Sequence, residues 1–199
     1  MVQPKAPSNP GRRKFLINAT SVVGAGAVAG AVVPFIGSWN PSAKAEAAGA
    51  PARADLSKLL PGEMMIVEWR GVPVYVVKHT QESMSVLDKN LSRLSDPDSL
   101  EDQQPDYARN ELRSRKKGIS VLTAVCTHLS CAPKFYPELG TTDFDSDWQG
   151  GFFCPCHGSK FDLVGRVYAG VPAPTNLPIP PHYFQSEDIL IIGEDGGAV

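Results

Sequence analysis

Two short segments carry all four cysteines of this chain and two of its four histidines: CTHLSC at 126–131 and CPCHGS at 154–159. Each sets sulfur and nitrogen donors two or three residues apart, close enough for one tight loop to aim them at a single point. Twenty-five residues lie between His128 and Cys154, so the fold must bring two loops face to face. A set of two thiolates and two imidazoles suits zinc or an iron–sulfur centre. Taking one Cys and one His from each loop leaves one Cys over in each, and two neighbouring thiols in an oxidising compartment are expected to join. Spacing does not decide which cysteines bind and which bridge, because Cys131 and Cys156 are as able to act as ligands as Cys126 and Cys154.

The N-terminus supplies the compartment. Lys5, Arg12, Arg13 and Lys14 are followed by 25 residues, 15–39, without a charge. A helix of about 20 apolar residues spans a bilayer, and the basic flank places residues 1–14 in the cytoplasm and everything past residue 39 outside. The Arg12-Arg13-Lys14-Phe15-Leu16 run resembles the twin-arginine signal that bacteria use to export folded proteins. Ala43-Lys44-Ala45 offers a small-residue cleavage site, but the apolar stretch is longer than the roughly 7 to 15 residues of a cleavable core, so a retained anchor is expected. Gly26 and Gly30 form a GxxxG pair inside it.

With 199 residues and a net charge of -2, the chain has room for one domain beyond the anchor. Its basic residues form no stripe interleaved with aromatics, so nucleic acid is not expected as a partner. The 18 Gly and 18 Pro point to many turns and short elements, hence an all-β domain. Residues 40–58 are rich in Ala, Pro and small polar groups and read as a flexible hinge linker. Strands are predicted at 64–69, 72–77 and 84–87, with a tight turn at Arg70-Gly71. Residues 88–118 read as a helix or loop insertion, and strands follow at 119–125 and 188–193.

The boxes CTHLSC and CPCHGS closely resemble those of the Rieske iron–sulfur subunits of the ubiquinol-cytochrome c reductase, the cytochrome bc1 complex. The anchor, the Ala-rich linker, the WRGVPVYV segment at 69–76 and the proline-rich run GVPAP at 170–174 fall where that family has its tether, base domain and cluster cover. The resemblance implies a Rieske-type antiparallel β-sandwich over 59–199 with a small cluster-binding subdomain at about 124–175. It implies one 2Fe-2S cluster held by Cys126, His128, Cys154 and His157, both histidines on one iron, and a disulfide between Cys131 and Cys156. The implied function is to take an electron from ubiquinol and pass it to the haem of cytochrome c1, releasing protons outside. The implied setting is a dimeric complex with cytochrome b and cytochrome c1, ubiquinol at the cytochrome b interface and membrane lipid around the anchor, in a bacterial inner membrane with the Rieske domain in the periplasm.

By the same resemblance, His128 or His157 offers its outer ring nitrogen to the quinol, and Ser159 donates a hydrogen bond to a bridging sulfide. Phe161 stands where mitochondrial relatives carry a tyrosine that donates to a ligand sulfur, which implies a lower potential here. Leu129 and Pro172 are expected to shield the cluster from two sides. Ser130 replaces the family's usual glycine and is strained if its φ is positive. His79 and His182 are expected to be ordinary surface or core residues.

Overall fold

The computed structural model describes residues 9–196, so Lys5 lies outside the described residues. The described residues separate into two units that divide between Ala47 and Ala48. In the first, helix α1 covers Pro10–Gly37, with Pro at its first turn and the Asn9 side chain accepting from the backbone N–H of Arg12 at 3.1 Å. That cap starts the helix one turn before the uncharged stretch, taking Arg12, Arg13 and Lys14 into its first turns. At about 1.5 Å per residue α1 reaches ~42 Å, enough to cross a bilayer. The Thr20 hydroxyl donates to the Leu16 carbonyl at 2.7 Å, so its polar group is satisfied within the helix.

The second unit contains three antiparallel sheets of three strands. Strands β1 (Ala52–Asp55), β9 (Ile189–Ile192) and β8 (His182–Phe184) form one sheet, and β2 (Met64–Trp69), β3 (Val72–Lys78) and β4 (Ile119–Thr123) form another. Strands β2 and β3 meet through the Arg70-Gly71 turn, both residues at positive φ, as the hairpin reading expects. The third sheet, β5 (Lys134–Thr142), β6 (Asp145–Phe153) and β7 (Lys160–Phe161), is built mostly from the stretch between the boxes.

Why VPVYVV is apolar without alternation follows from its place in the middle layer. Val74 and Val76 of β3 pack with Val121, Ala54, Leu56, Leu190 and Ile192 against the first sheet. Tyr75 and Val77 point the other way, into a core with Leu122, Phe152, Phe161, Leu177 and the thiols Cys126 and Cys154. A strand buried on both faces is apolar at every position. The second core thus packs directly against the base of the Cys/His loops.

Two sequence expectations are corrected. Residues 84–87 are not a strand: Gln81–Ser85 forms the short helix α3 and Leu87–Arg93 a 3-10 helix. Thr80 caps α3, its side chain accepting from Ser83 N–H while the Ser83 side chain accepts from Thr80 N–H, each at 3.0 Å, and this local capping outweighs the β-propensity of Met-Ser-Val-Leu. The stretch 40–58, expected to be a linker throughout, also carries regular structure. Ala43–Gly49 is the helix α2, and β1 pairs with β9 from Ala52↔Ile192 to Asp55↔Ile189, burying Ala54 and Leu56. Small residues alternating with Arg53 and Asp55 conceal a genuine two-residue period there.

Candidate metal centre

The two Cys/His loops are built alike. In the first, the backbone N–H of Cys126 donates to the Cys131 carbonyl at 2.7 Å and its carbonyl accepts from Ser130 at 3.0 Å. In the second, Cys154 N–H donates to the Ser159 carbonyl at 2.8 Å and its carbonyl accepts from Gly158 at 3.0 Å. Each loop therefore closes on its own first cysteine and carries the next donors outward at its tip. The first loop leaves the end of β4, and the second connects β6 to β7, so both rest on sheet ends.

At the tips, Cys131 and Cys156 are joined in a disulfide with Cα atoms 6.7 Å apart. Cys126 and Cys154 are free and buried. The sulfur of Cys154 and the two disulfide sulfurs all lie within 4.8 Å of one another, but a disulfide removes its two sulfurs as thiolate donors, so these three do not make a metal set. The rings of His128 and His157 meet edge to face with centroids 4.8 Å apart; His128 is half-buried and His157 exposed. Burial pushes the Cys126 thiol up, and the adjacent Cys154 adds to this, while the His128 backbone N–H and the Ser159 hydroxyl work against it. Two buried thiols side by side are ill suited to carry charge alone but well suited to share a cation. Two thiols and two imidazoles on facing loops fit an iron–sulfur group of mixed ligation.

Ser159 is fully buried, and its hydroxyl oxygen accepts from the Ala173 N–H at 3.0 Å, leaving its proton to donate elsewhere. Phe161 is also fully buried, in the same cluster as Cys126 and Cys154. Leu129 is 65% exposed, and Pro172 is exposed beside buried Ala173. Ser130 has φ of 63°, the left-handed region that a serine enters at a cost. His182 is buried in the first sheet and His79 hydrogen-bonds Ser120 at 2.8 Å; burial pushes both well down, to about 4. Both therefore act as neutral packed groups.

Several residues that support the loops escaped the sequence reading. The Thr127 hydroxyl donates to the Thr175 carbonyl at 2.7 Å, and the Tyr75 hydroxyl to the Pro133 carbonyl at 2.6 Å. Asp162 and Arg166 form a fully enclosed ion pair at 2.7 Å, and their four-residue separation was a signal the sequence carried. Asp145 holds Arg93 at 2.6 Å and Lys160 at 2.7 Å, tying the hairpin to the second loop. Tyr75 and Thr127 had no such signal, because their partners are backbone carbonyls 58 and 48 residues away.

Residues 101–181 match the Rieske [2Fe-2S] domain family, and residues 3–42 match the family described as Ubiquitinol-cytochrome C reductase Fe-S subunit TAT signal. The Ubiquinol-cytochrome c reductase iron-sulfur subunit of Allochromatium vinosum is 53% identical over 190 residues, covering 96% of this chain and 92% of that protein. The subunit of the same name from Blastochloris viridis is 43% identical over 182 residues, covering 92% of each. The Cytochrome b-c1 complex subunit Rieske-3, mitochondrial, of Nicotiana tabacum is 38% identical over 190 residues, 94% of this chain and 63% of that one. Identity of this extent shows what the paired loops, the disulfide and the buried thiols had suggested: the chain belongs to the Rieske iron–sulfur subunits of ubiquinol-cytochrome c reductase, electron-transfer components that carry a 2Fe-2S cluster.

Proposed function

We propose that Cys126 and Cys154 hold one iron of the cluster and His128 and His157 the other, and that the chain takes an electron from ubiquinol and delivers it to the haem of cytochrome c1. The observation that carries this reading is the pairing of roles: the disulfide takes Cys131 and Cys156, leaving two free buried thiols beneath two imidazoles in contact. When bound, a cluster of this kind accepts single electrons at a potential raised by its two neutral ligands.

The protein's own residues do the rest. The exposed ring of His157, with that of His128 beside it, presents a nitrogen to which a quinol hydroxyl can hydrogen-bond, so a proton leaves as an electron does. Leu129 offers an apolar surface at the same tip for a quinone-binding pocket. Ala173 occupies the oxygen of Ser159, which leaves the Ser159 hydroxyl proton free to donate to the cluster. The disulfide fixes the two loops to each other independently of the metal.

In this reading residues 1–14 are cytoplasmic, α1 spans the bacterial inner membrane in contact with lipid, and the domain from β1 onward is periplasmic. The basic residues before α1 and the export signal support that orientation. Cytochrome b and cytochrome c1 are the partners, in a dimeric complex, with ubiquinol bound against cytochrome b. Residues 40–51 act as the hinge, and the cluster-binding subdomain covers about 124–175. Electron paramagnetic resonance of reduced membranes tests the assignment. A Rieske spectrum that shifts when a quinol-site inhibitor is added, from a protein that co-purifies with b- and c-type haem, is expected; a spectrum insensitive to the inhibitor contradicts it.

A further inference from the structure

Arg113 is fully buried, and among the described residues no carboxylate lies within ion-pairing distance of it. Its backbone is held at φ 47°, a region that non-glycine residues occupy under strain. Burial pushes its guanidinium down to about 10. An enclosed cation without a direct counter-charge, on a strained backbone, is expensive to keep. Ordinary core packing does not call for it.

Its hydrogen bonds are all to fixed partners around the cover of the Cys/His loops. Nη1 donates to the Val164 carbonyl at 3.0 Å, and Nη2 donates to the Leu177 carbonyl at 2.8 Å and to Gln104 Oε1 at 3.0 Å. Val164 and Leu177 flank the proline-rich run 170–174, so one planar fork closes both ends of that cover. The Leu177 N–H donates to the Gly165 carbonyl at 2.8 Å, within the same closure. A Cβ at Gly165, which has φ 78°, would crowd Arg113 Nη1 at 3.2 Å and Leu122 at 3.1 Å. Gln104 in turn donates from Nε2 to the carbonyls of Ser99 and Glu101, at 2.9 and 2.8 Å, anchoring the fork in the 88–118 insertion. Asn176 extends the same grip, donating to the Asp96 carbonyl at 3.0 Å and Ser99 Oγ at 3.1 Å.

We infer that Arg113, braced by Gln104, is a positioning residue: it lets the 88–118 insertion hold the cluster cover closed and thereby fixes the Ala173 N–H against the Ser159 hydroxyl. The inference rests on the cluster reading proposed above. With Arg113 in place, the Ser159 oxygen stays occupied by the Ala173 N–H and its proton stays free to donate into the cluster site. With the fork broken, the cover loosens at both ends, Ser159 loses its fixed orientation and the reduced cluster loses part of its support.

The experiment uses the full chain in its membrane complex, with Arg113→Met, Arg113→Lys and Gln104→Leu. Amide hydrogen exchange at Ala173 and Leu177 reads the cover, and redox titration reads the cluster. All three variants are expected to exchange those amides at least about tenfold faster. They are also expected to shift the reduced-to-oxidised ratio at fixed potential about threefold toward oxidised, the size of one modest hydrogen bond. Arg113→Lys must behave like Arg113→Met, because an ammonium keeps the charge but not the fork. A wild-type potential in Arg113→Lys beside a lowered one in Arg113→Met would mean that charge alone acts, and overturns the inference. So does faster exchange at an unchanged potential, which would make Arg113 purely structural. If the Arg113 variants fail to assemble, Gln104→Leu decides by the same two readings. Failure of the ligand assignment would show separately, as an altered cluster spectrum in the unmodified protein, while amide exchange continues to report on the brace.

Discussion

Ser130 and Gly158 occupy the same place in the two cluster loops: each stands four residues after its loop's first cysteine, donates its N–H to that cysteine's carbonyl, and has positive φ, 63° and 79°. The second loop meets the demand with glycine, and the first meets it with a serine whose Cβ crowds the backbone. Ser130→Gly should stabilise the domain by ~0.5 kcal/mol, the relief of about 1 kcal/mol of left-handed strain being partly offset by the freer unfolded chain. A Cβ at Gly158 would meet nothing within 4 Å, so Gly158→Ala should cost only ~0.5 kcal/mol, about 1 kcal/mol of backbone strain partly offset by the stiffer unfolded chain. Thermal unfolding of the oxidised protein checks both, and a lower midpoint for Ser130→Gly would contradict the equivalence of the two positions.

Phe161 lies in the same buried cluster as Cys126 and Cys154 without a hydroxyl to offer either sulfur. Phe161→Tyr adds one donor, and a hydrogen bond that favours the more negative reduced state by about 1 kcal/mol raises the midpoint potential by ~40 mV. Redox titration measures this directly, and an unchanged or lowered potential would count against the account of Phe161.

The boundary between what the residues announce and what they conceal runs through particular positions. VPVYVV and ISVLT were readable as strands because continuous apolar runs bounded by turns have few alternatives at that length. Met84 to Leu87 misled, because the capping exchange between Thr80 and Ser83 decides that segment from outside it. Ala54 and Leu56 were hidden in a linker by the smallness of alanine, although their spacing is that of a strand. In the site, box content told the chemistry, but the division of four cysteines into a free pair and a bridge came from the family resemblance and then from the structure. Arg113 could not be found at all: its partners are carbonyls 51 and 64 residues away, and carbonyls have no sequence signature.

Asp145 is 4% exposed at its side chain. Burial raises its pKa, but Arg93, Lys160 and the Asp147 N–H together outweigh that and hold it at about 2, below its ordinary 3.8. A carboxylate lowered in this way stabilises the fold fully above pH about 4 and loses that contribution as pH falls toward about 2. The amount is about 2 kcal/mol. Asp145→Asn should remove it at neutral pH and flatten the acid limb between pH about 4 and about 2. Chemical denaturation at a series of pH values measures this, and a variant with the same acid limb as the parent would exclude Asp145 as its source.

In the proposed function the domain moves on residues 40–51, which include the short helix α2. Proline at Ala45 and at Gly49 restricts the backbone there and should slow quinol oxidation severalfold while leaving the cluster potential unchanged. Steady-state reduction of cytochrome c by membranes provides the rate. Unchanged turnover in the double variant would refute a moving head.

Mixed ligation by two histidines is the central claim, and pulsed electron paramagnetic resonance of the reduced protein tests it most directly. The account predicts two strongly coupled imidazole nitrogens in the unmodified chain, with the cluster signal lost when His128 or His157 is replaced by alanine and retained when His79 or His182 is. Coupling to fewer than two nitrogens, or a normal cluster signal in His157→Ala, would contradict it.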